Sequence, residues 1–103
     1  MSEWVKVANV EDIPPEGLEV AVDEEPVLLV RKDGDVFALY GLCTHQDMEL
    51  AGGHLEGSEW VCPHHGARFD VKSGEALSMP AVEDLEVYPV KVEDAAVYVK
   101  EPE

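Results

Sequence analysis

Two cysteines among 103 residues are too few for the disulfide framework that small secreted domains usually need, and their scarcity points to a reducing compartment. Basic residues are also few: 7 Lys and Arg face 23 Asp and Glu, giving a formal net charge of −16. That balance disfavours nucleic acid and anionic lipid as partners and favours docking to basic patches on other proteins. No apolar run approaches the roughly 20 residues of a membrane helix, and Met1 to Val10 lacks the pattern of a signal peptide. A cytoplasmic protein without a membrane association is therefore expected. Internal repeats, low-complexity tracts and long helical periodicity are missing. So are a Gly-rich phosphate loop, a dinucleotide fingerprint and any serine at motif spacing from a histidine, which leaves no recognisable catalytic constellation.

What is present is a chain of 46% hydrophobic residues, globular and long enough for one domain, 1–103, with a modest core. Short strand-like runs dominate. Trp4 to Ala8 and Leu18 to Val22 alternate bulky and polar residues, and between them Asn9 is placed to cap a single helical turn, Val10 to Ile13, that Pro14-Pro15 stops. Pro26 to Lys32 and Val36 to Tyr40 flank Asp33-Gly34, a tight hairpin signal. Further on, His54-Leu55 and Glu59 to Val61 form a short hairpin, and Phe69 to Val71 with Glu75 to Leu77 another. Leu85 to Val92 and Ala96 to Lys100 read as two strands joined at Glu93-Asp94, with Pro89 at an edge or bulge because it cannot donate to a ladder. These runs predict an all-β fold of nine or ten short strands, an antiparallel β-sandwich with a lobe, about 41–80, inserted between the first four strands and the last two.

The chemistry sits in that lobe. Cys43-Thr44-His45 is answered, sixteen residues later, by Cys62-Pro63-His64-His65. Each cysteine carries a histidine with it, at C-x-H and C-x-x-H spacing. A disulfide between Cys43 and Cys62 explains neither histidine. Structural zinc accepts two Cys and two His, but zinc fingers usually pair like with like in each half. The mixed halves suit a two-iron, two-sulfur centre, one iron taking both cysteines and the other both histidines. His54 has no cysteine at ligand spacing and reads as an ordinary strand-start residue. His64 reads equally as a partner contact or as an exposed loop residue. Trp4, Trp60 and the tyrosines read as packing residues.

The run from Cys43-Thr44-His45 through Cys62-Pro63-His64-His65-Gly66 to Ala67-Arg68-Phe69-Asp70-Val71-Lys72-Ser73-Gly74-Glu75-Ala76-Leu77 resembles the Rieske family, and more closely the Rieske-type ferredoxins of bacterial ring-hydroxylating dioxygenase systems. The resemblance covers nearly the whole chain. It implies a Rieske-like sandwich, a [2Fe-2S] cluster on Cys43, His45, Cys62 and His65, and a monomeric one-electron carrier between an NAD(P)H-dependent flavoprotein reductase and a terminal oxygenase. It also implies that Pro80 belongs to a proline loop shielding the cluster, the alternative being a simple turn proline; Gln46 and Asp47, directly after His45, read as a docking rim or as merely solvated residues. A bound small subunit of a larger reductase, as in nitrite reductases, is the alternative within the fold, and a zinc-stabilised interaction module the alternative outside it. Two departures separate the chain from the respiratory branch of the family. Met48 and His64 stand where that branch carries an additional disulfide, and Ala67 and Phe69 where it carries a serine and a tyrosine whose hydroxyls stabilise the added electron.

Without those hydroxyls the reduction potential is expected at the low end of the Rieske range, about −150 mV. Electron paramagnetic resonance of the dithionite-reduced protein, followed by redox titration near neutral pH, should give a rhombic signal titrating near that value. A midpoint a few hundred millivolts higher would instead match respiratory partners, and a colourless zinc protein would remove the electron-transfer reading.

Overall fold

The computed structural model describes residues 3–42, 49–63, 66–77 and 84–101. Ten strands are found among them: β1 Val5–Asn9, β2 Leu18–Val22, β3 Glu25–Lys32, β4 Asp35–Tyr40, β5 His54–Glu56, β6 Glu59–Val61, β7 Arg68–Asp70, β8 Val87–Tyr88, β9 Val90–Glu93 and β10 Ala96–Val99. They form three antiparallel sheets, ordered β1-β10-β9, β2-β3-β4-β8 and β5-β6-β7. The third is the inserted lobe, lying between β4 and β8 in the chain. Among the described residues no helix is long and apolar enough to cross a membrane.

The centre of this arrangement is β3. Its run Val27-Leu28-Leu29-Val30 is buried at every position, although adjacent side chains of a strand point to opposite faces. Both faces are therefore covered. Val27 and Leu29 pack with Val22, Val36, Ala38, Tyr88, Val97 and Val99 in the interior of the sandwich. Leu28 and Val30 pack with Leu39, Leu50, Trp60, Cys62, Ala67, Phe69, Val71 and Leu85 towards the lobe. The neighbouring strand β4 divides likewise, Ala38 to the sandwich and Leu39 to the lobe. A continuous apolar run is what a strand covered on both faces requires.

The turns hold to the short connections read from the sequence. Asp33 and Gly34 adopt positive φ (51° and 84°) in the two-residue turn that pairs Lys32 with Asp35, as expected of a type I′ hairpin. Two further turns do the same without glycine, at Asp23-Glu24 and at Asp94-Ala95. The second shifts the expected Glu93-Asp94 junction by one residue. The helical turn is a short 3₁₀ helix, Val10–Asp12, in which the Asp12 carboxylate accepts from the Asn9 amide at 3.2 Å.

Two elements differ from expectation. Leu85 to Val92 is not one strand: Pro89 separates β8, which pairs with β4, from β9, which pairs with β10 in another sheet. Lacking an N–H, proline cannot continue the ladder, and here the chain passes from one layer to the other. Glu75 to Leu77 is not a regular strand either. It is held to β7 by an isolated bridge, Phe69 to Ala76, and by amide bonds from Asp70 to the Glu75 carbonyl and from Leu77 to the Arg68 carbonyl.

Because β3 is covered on both sides, Leu28→Ala and Leu29→Ala should each cost about 2–5 kcal/mol of stability in urea denaturation. The two losses should be similar even though one opens the lobe side and the other the sandwich.

Candidate metal centre

Three of the four candidate ligands belong to the stretches 43–48 and 64–65, whose flanking residues are described. Before the first loop, Gly41 donates its amide to the Pro26 carbonyl (2.9 Å); after it, Leu50 donates back to the Gly41 carbonyl (3.0 Å) and Leu42 bridges Glu49. The chain therefore departs and returns at one place. The second loop is closed at its base by the Cys62 amide on the Ala67 carbonyl (2.8 Å) and by the Gly66 amide on the Cys62 carbonyl (3.1 Å). Gly66 takes φ +71° there, a conformation that favours glycine.

The two loop bases are joined. The indole Nε1 of Trp60, buried in the lobe core, donates to the Leu50 carbonyl at 2.9 Å. That bond ties the return of the first loop to the strand that leads into the second. Beside it, Gly53 passes so close to β6 that a methyl group on its Cα would overlap the Val61 carbonyl oxygen and lie 3.2 Å from Pro63 Cδ. Gly52, at φ +98°, makes the bend, whereas Gly53 permits the close approach. A third segment is tied to the same lobe: Leu85 donates to the Gly74 carbonyl (2.7 Å), and the Asp84 carboxylate accepts from the Ala76 amide (2.9 Å).

Of the four candidate ligands, Cys62 is described: it is free, 2% exposed and packed in the lobe core. Cys43, His45 and His65 lie outside the described residues, as do Gln46, Asp47, Met48, His64 and Pro80. Ala67 and Phe69, the positions without hydroxyls, are fully buried in the same core. A thiol shut away from water at the base of a Cys-Pro-His-His loop fits a soft metal ligand, and the chain's donor set of two thiols and two imidazoles suits a Rieske centre.

His54 begins β5, as expected, and its Nε2 lies 2.8 Å from Glu56 Oε2. Arg68 reaches the other Glu56 oxygen at 2.9 Å and Glu59 at 3.4 Å, lacing the outer face of the lobe. The hydrogen bonds from His54 and then Arg68 hold the Glu56 carboxyl below its ordinary value of 4.5. Trp60 is a packing residue as expected, but Trp4 is not in the core: it is 38% exposed, with the ammonium groups of Lys91 and Lys100 each 5.0 Å from its ring. The Trp60–Leu50 tie, the Gly53 approach and the Asp84 carboxylate carry no sequence motif, because each depends on which segments meet.

An all-β sandwich with a lobe that buries a Cys-Pro-His-His cysteine suits an iron–sulfur electron-transfer domain. Residues 3–89 match the Rieske [2Fe-2S] domain, and the chain belongs to that family and carries a [2Fe-2S] cluster. It is 40% identical, over 94% of each chain, to the ferredoxin component of the naphthalene 1,2-dioxygenase/salicylate 5-hydroxylase systems of a Ralstonia species. A chain in the complex of reduced oxygenase and oxidized ferredoxin in carbazole 1,9a-dioxygenase superimposes with a TM-score of 0.87 at 33% identity, covering 97% of this chain and 95% of that one. The nitrite reductase small-subunit structure from Mycobacterium tuberculosis has the same TM-score, 0.87, over 100% of this chain and 98% of that one, but at 21% identity it shares the fold alone. The relatives that fix the class are ferredoxin components, so the chain is an electron-transfer protein and not an enzyme.

Gly53→Ala should force the two loop bases apart. The expected result is a loss of about 1–3 kcal/mol in denaturation, as for an overpacked core site, together with faster loss of visible absorbance when the protein is incubated with an iron chelator.

Proposed function

We propose that the chain is a freely diffusing, cytoplasmic, monomeric carrier that takes single electrons from an NAD(P)H-dependent flavoprotein reductase and delivers them to a terminal oxygenase acting on aromatic rings. The observation that carries the reading is the mixed pair of ligand motifs, Cys43-x-His45 and Cys62-x-x-His65, supported by the Trp60–Leu50 bond that joins the segments flanking them. Cys43 and Cys62 would hold one iron and His45 and His65 the other, with residues 1–103 acting as one Rieske domain and 41–80 as its cluster-binding lobe.

When bound, a cluster of this kind supplies a one-electron couple, and two thiolates with two neutral imidazoles make it easier to reduce than an all-cysteine centre. The chain's own residues set the surroundings. Ala67 and Phe69 present no hydroxyl, which favours a low potential, and the buried side chains of Leu50, Trp60 and Phe69 keep water from the Cys62 side. With four protein ligands no iron position is left open for substrate, which suits electron transfer. The excess of acidic residues suits encounter with basic partner surfaces.

Replacing Cys43, His45, Cys62 or His65 individually by alanine should abolish or change the visible and paramagnetic resonance spectra, whereas His54→Ala and His64→Ala should leave them unaltered. Ala67→Ser tests the potential. A hydroxyl bond to sulfur worth about 1 kcal/mol raises a one-electron midpoint by roughly 40 mV, and an unchanged midpoint would show that the missing hydroxyl does not set the potential. The carrier role is checked by stopped flow: the reduced protein should be reoxidised by a ring-hydroxylating oxygenase and reduced again by NADH with a flavoprotein reductase.

A further inference from the structure

A cavity of about 310 Å³ opens between Glu25, Glu86, Tyr88 and Glu101, four residues drawn from three separate segments. Glu25 starts β3, Glu86 and Tyr88 flank the start of β8, and Glu101 follows β10. Among the described residues none of the three glutamates is paired with a cation, although ion pairs elsewhere engage Asp33, Glu56, Glu59 and Glu93. Asp23, from the turn before β3, pushes the pKa of the Glu101 carboxyl up, against an opposing pull from the chain's amino-terminal charge. The floor of the cavity is Tyr88. Its side chain belongs to the sandwich core, the residue is only 4% exposed and lines the cavity, and its hydroxyl has no hydrogen-bond partner among the described residues. Burial first, then Glu86 and Glu25, push the phenol up to about 12, so it stays protonated and polar at neutral pH.

The position of this cavity gives it meaning. The Tyr40 amide donates to the Glu86 carbonyl (2.8 Å) and the Gly41 amide to the Pro26 carbonyl (2.9 Å), so the segments carrying Glu25 and Glu86 flank the end of β4. Two residues beyond Gly41 the chain reaches Cys43. Among the described residues no three His, Cys, Asp or Glu side chains converge closely enough to hold a metal ion. The space and its spread-out oxygens suit a larger organic cation, whose several N–H donors reach separate acceptors.

We infer that this cavity is the socket for one basic side chain, arginine or lysine, of the protein with which this chain exchanges electrons, seating that partner beside the first ligand loop. The inference rests on the carrier reading above. The probe is the tripeptide acetyl-Ala-Arg-Ala-amide, added to the cluster-loaded, oxidised protein labelled with ¹³C in its tyrosine rings. Its neutral citrulline analogue and magnesium chloride serve as comparisons. The arginine peptide should shift the Tyr88 resonance saturably while the citrulline peptide does not. The Glu25→Gln/Glu86→Gln double variant should bind about 5- to 10-fold more weakly, as expected for two part-exposed charge pairs. Asp33→Asn/Asp35→Asn, the same change in net charge at the far end of β3 and β4, should bind as the parent does. Equal weakening by both double variants would overturn the socket in favour of net charge, magnesium displacing the peptide would make it a metal site, and no shift of Tyr88 would refute it. The stopped-flow reoxidation by an oxygenase described above reports the carrier role independently of peptide binding, so failure of the socket and failure of the carrier reading are distinguishable.

Discussion

A four-ligand centre divided between two loops is only as well defined as the distance between the loop bases. In this chain that distance is set by one hydrogen bond and one missing side chain: the Trp60 indole on the Leu50 carbonyl, and the bare Cα of Gly53 against the Val61 carbonyl. A neutral hydrogen bond contributes about 1 kcal/mol to stability, so its energy is not the main point. Its value is geometric, because in a packed core it leaves the two loop bases one relative position.

That local joint depends in turn on β3. The lobe strands β5, β6 and β7 are three residues long and could not stand as a sheet by themselves. They rest on Leu28, Val30 and Leu39, whose neighbours Val27, Leu29 and Ala38 hold the sandwich together from behind. One wall thus serves two cores, and the rigidity of the larger layer is passed to the smaller one that carries Cys62.

The parts legible in the sequence were those whose chemistry is local. Ligand spacing identifies a metal centre because cysteine and histidine must come at short intervals to reach one site, and the Asp33-Gly34 turn is visible because positive φ has a residue preference. Alternation placed β2 to the residue, and the runs flanking the Asp33-Gly34 hairpin placed most of β3 and β4. What could not be read depends on contact between distant segments. Pro89 was legible as an interruption but not as the point where the chain changes sheets, since that requires knowing what lies on either side. Nor could the close approach of Gly53 to Val61 be read, since it depends on where β6 lies. The acidic cavity has no signature at all, since Glu25 and Glu101 are separated by most of the chain and meet only in the folded protein.

The pairing of β1 with β10 has a separate consequence. Val5 lies opposite Val99 and Lys6 opposite Tyr98, so the first and last strands are neighbours in one sheet. A short linker between them would close the polypeptide into a ring without disturbing either core, and the ring could then be cut at the exposed Asp33-Gly34 turn. The fold therefore suits circular permutation, and equally suits being grafted whole into a loop of another protein, with both points of attachment on the β1–β10 sheet and the loop-bearing lobe left free.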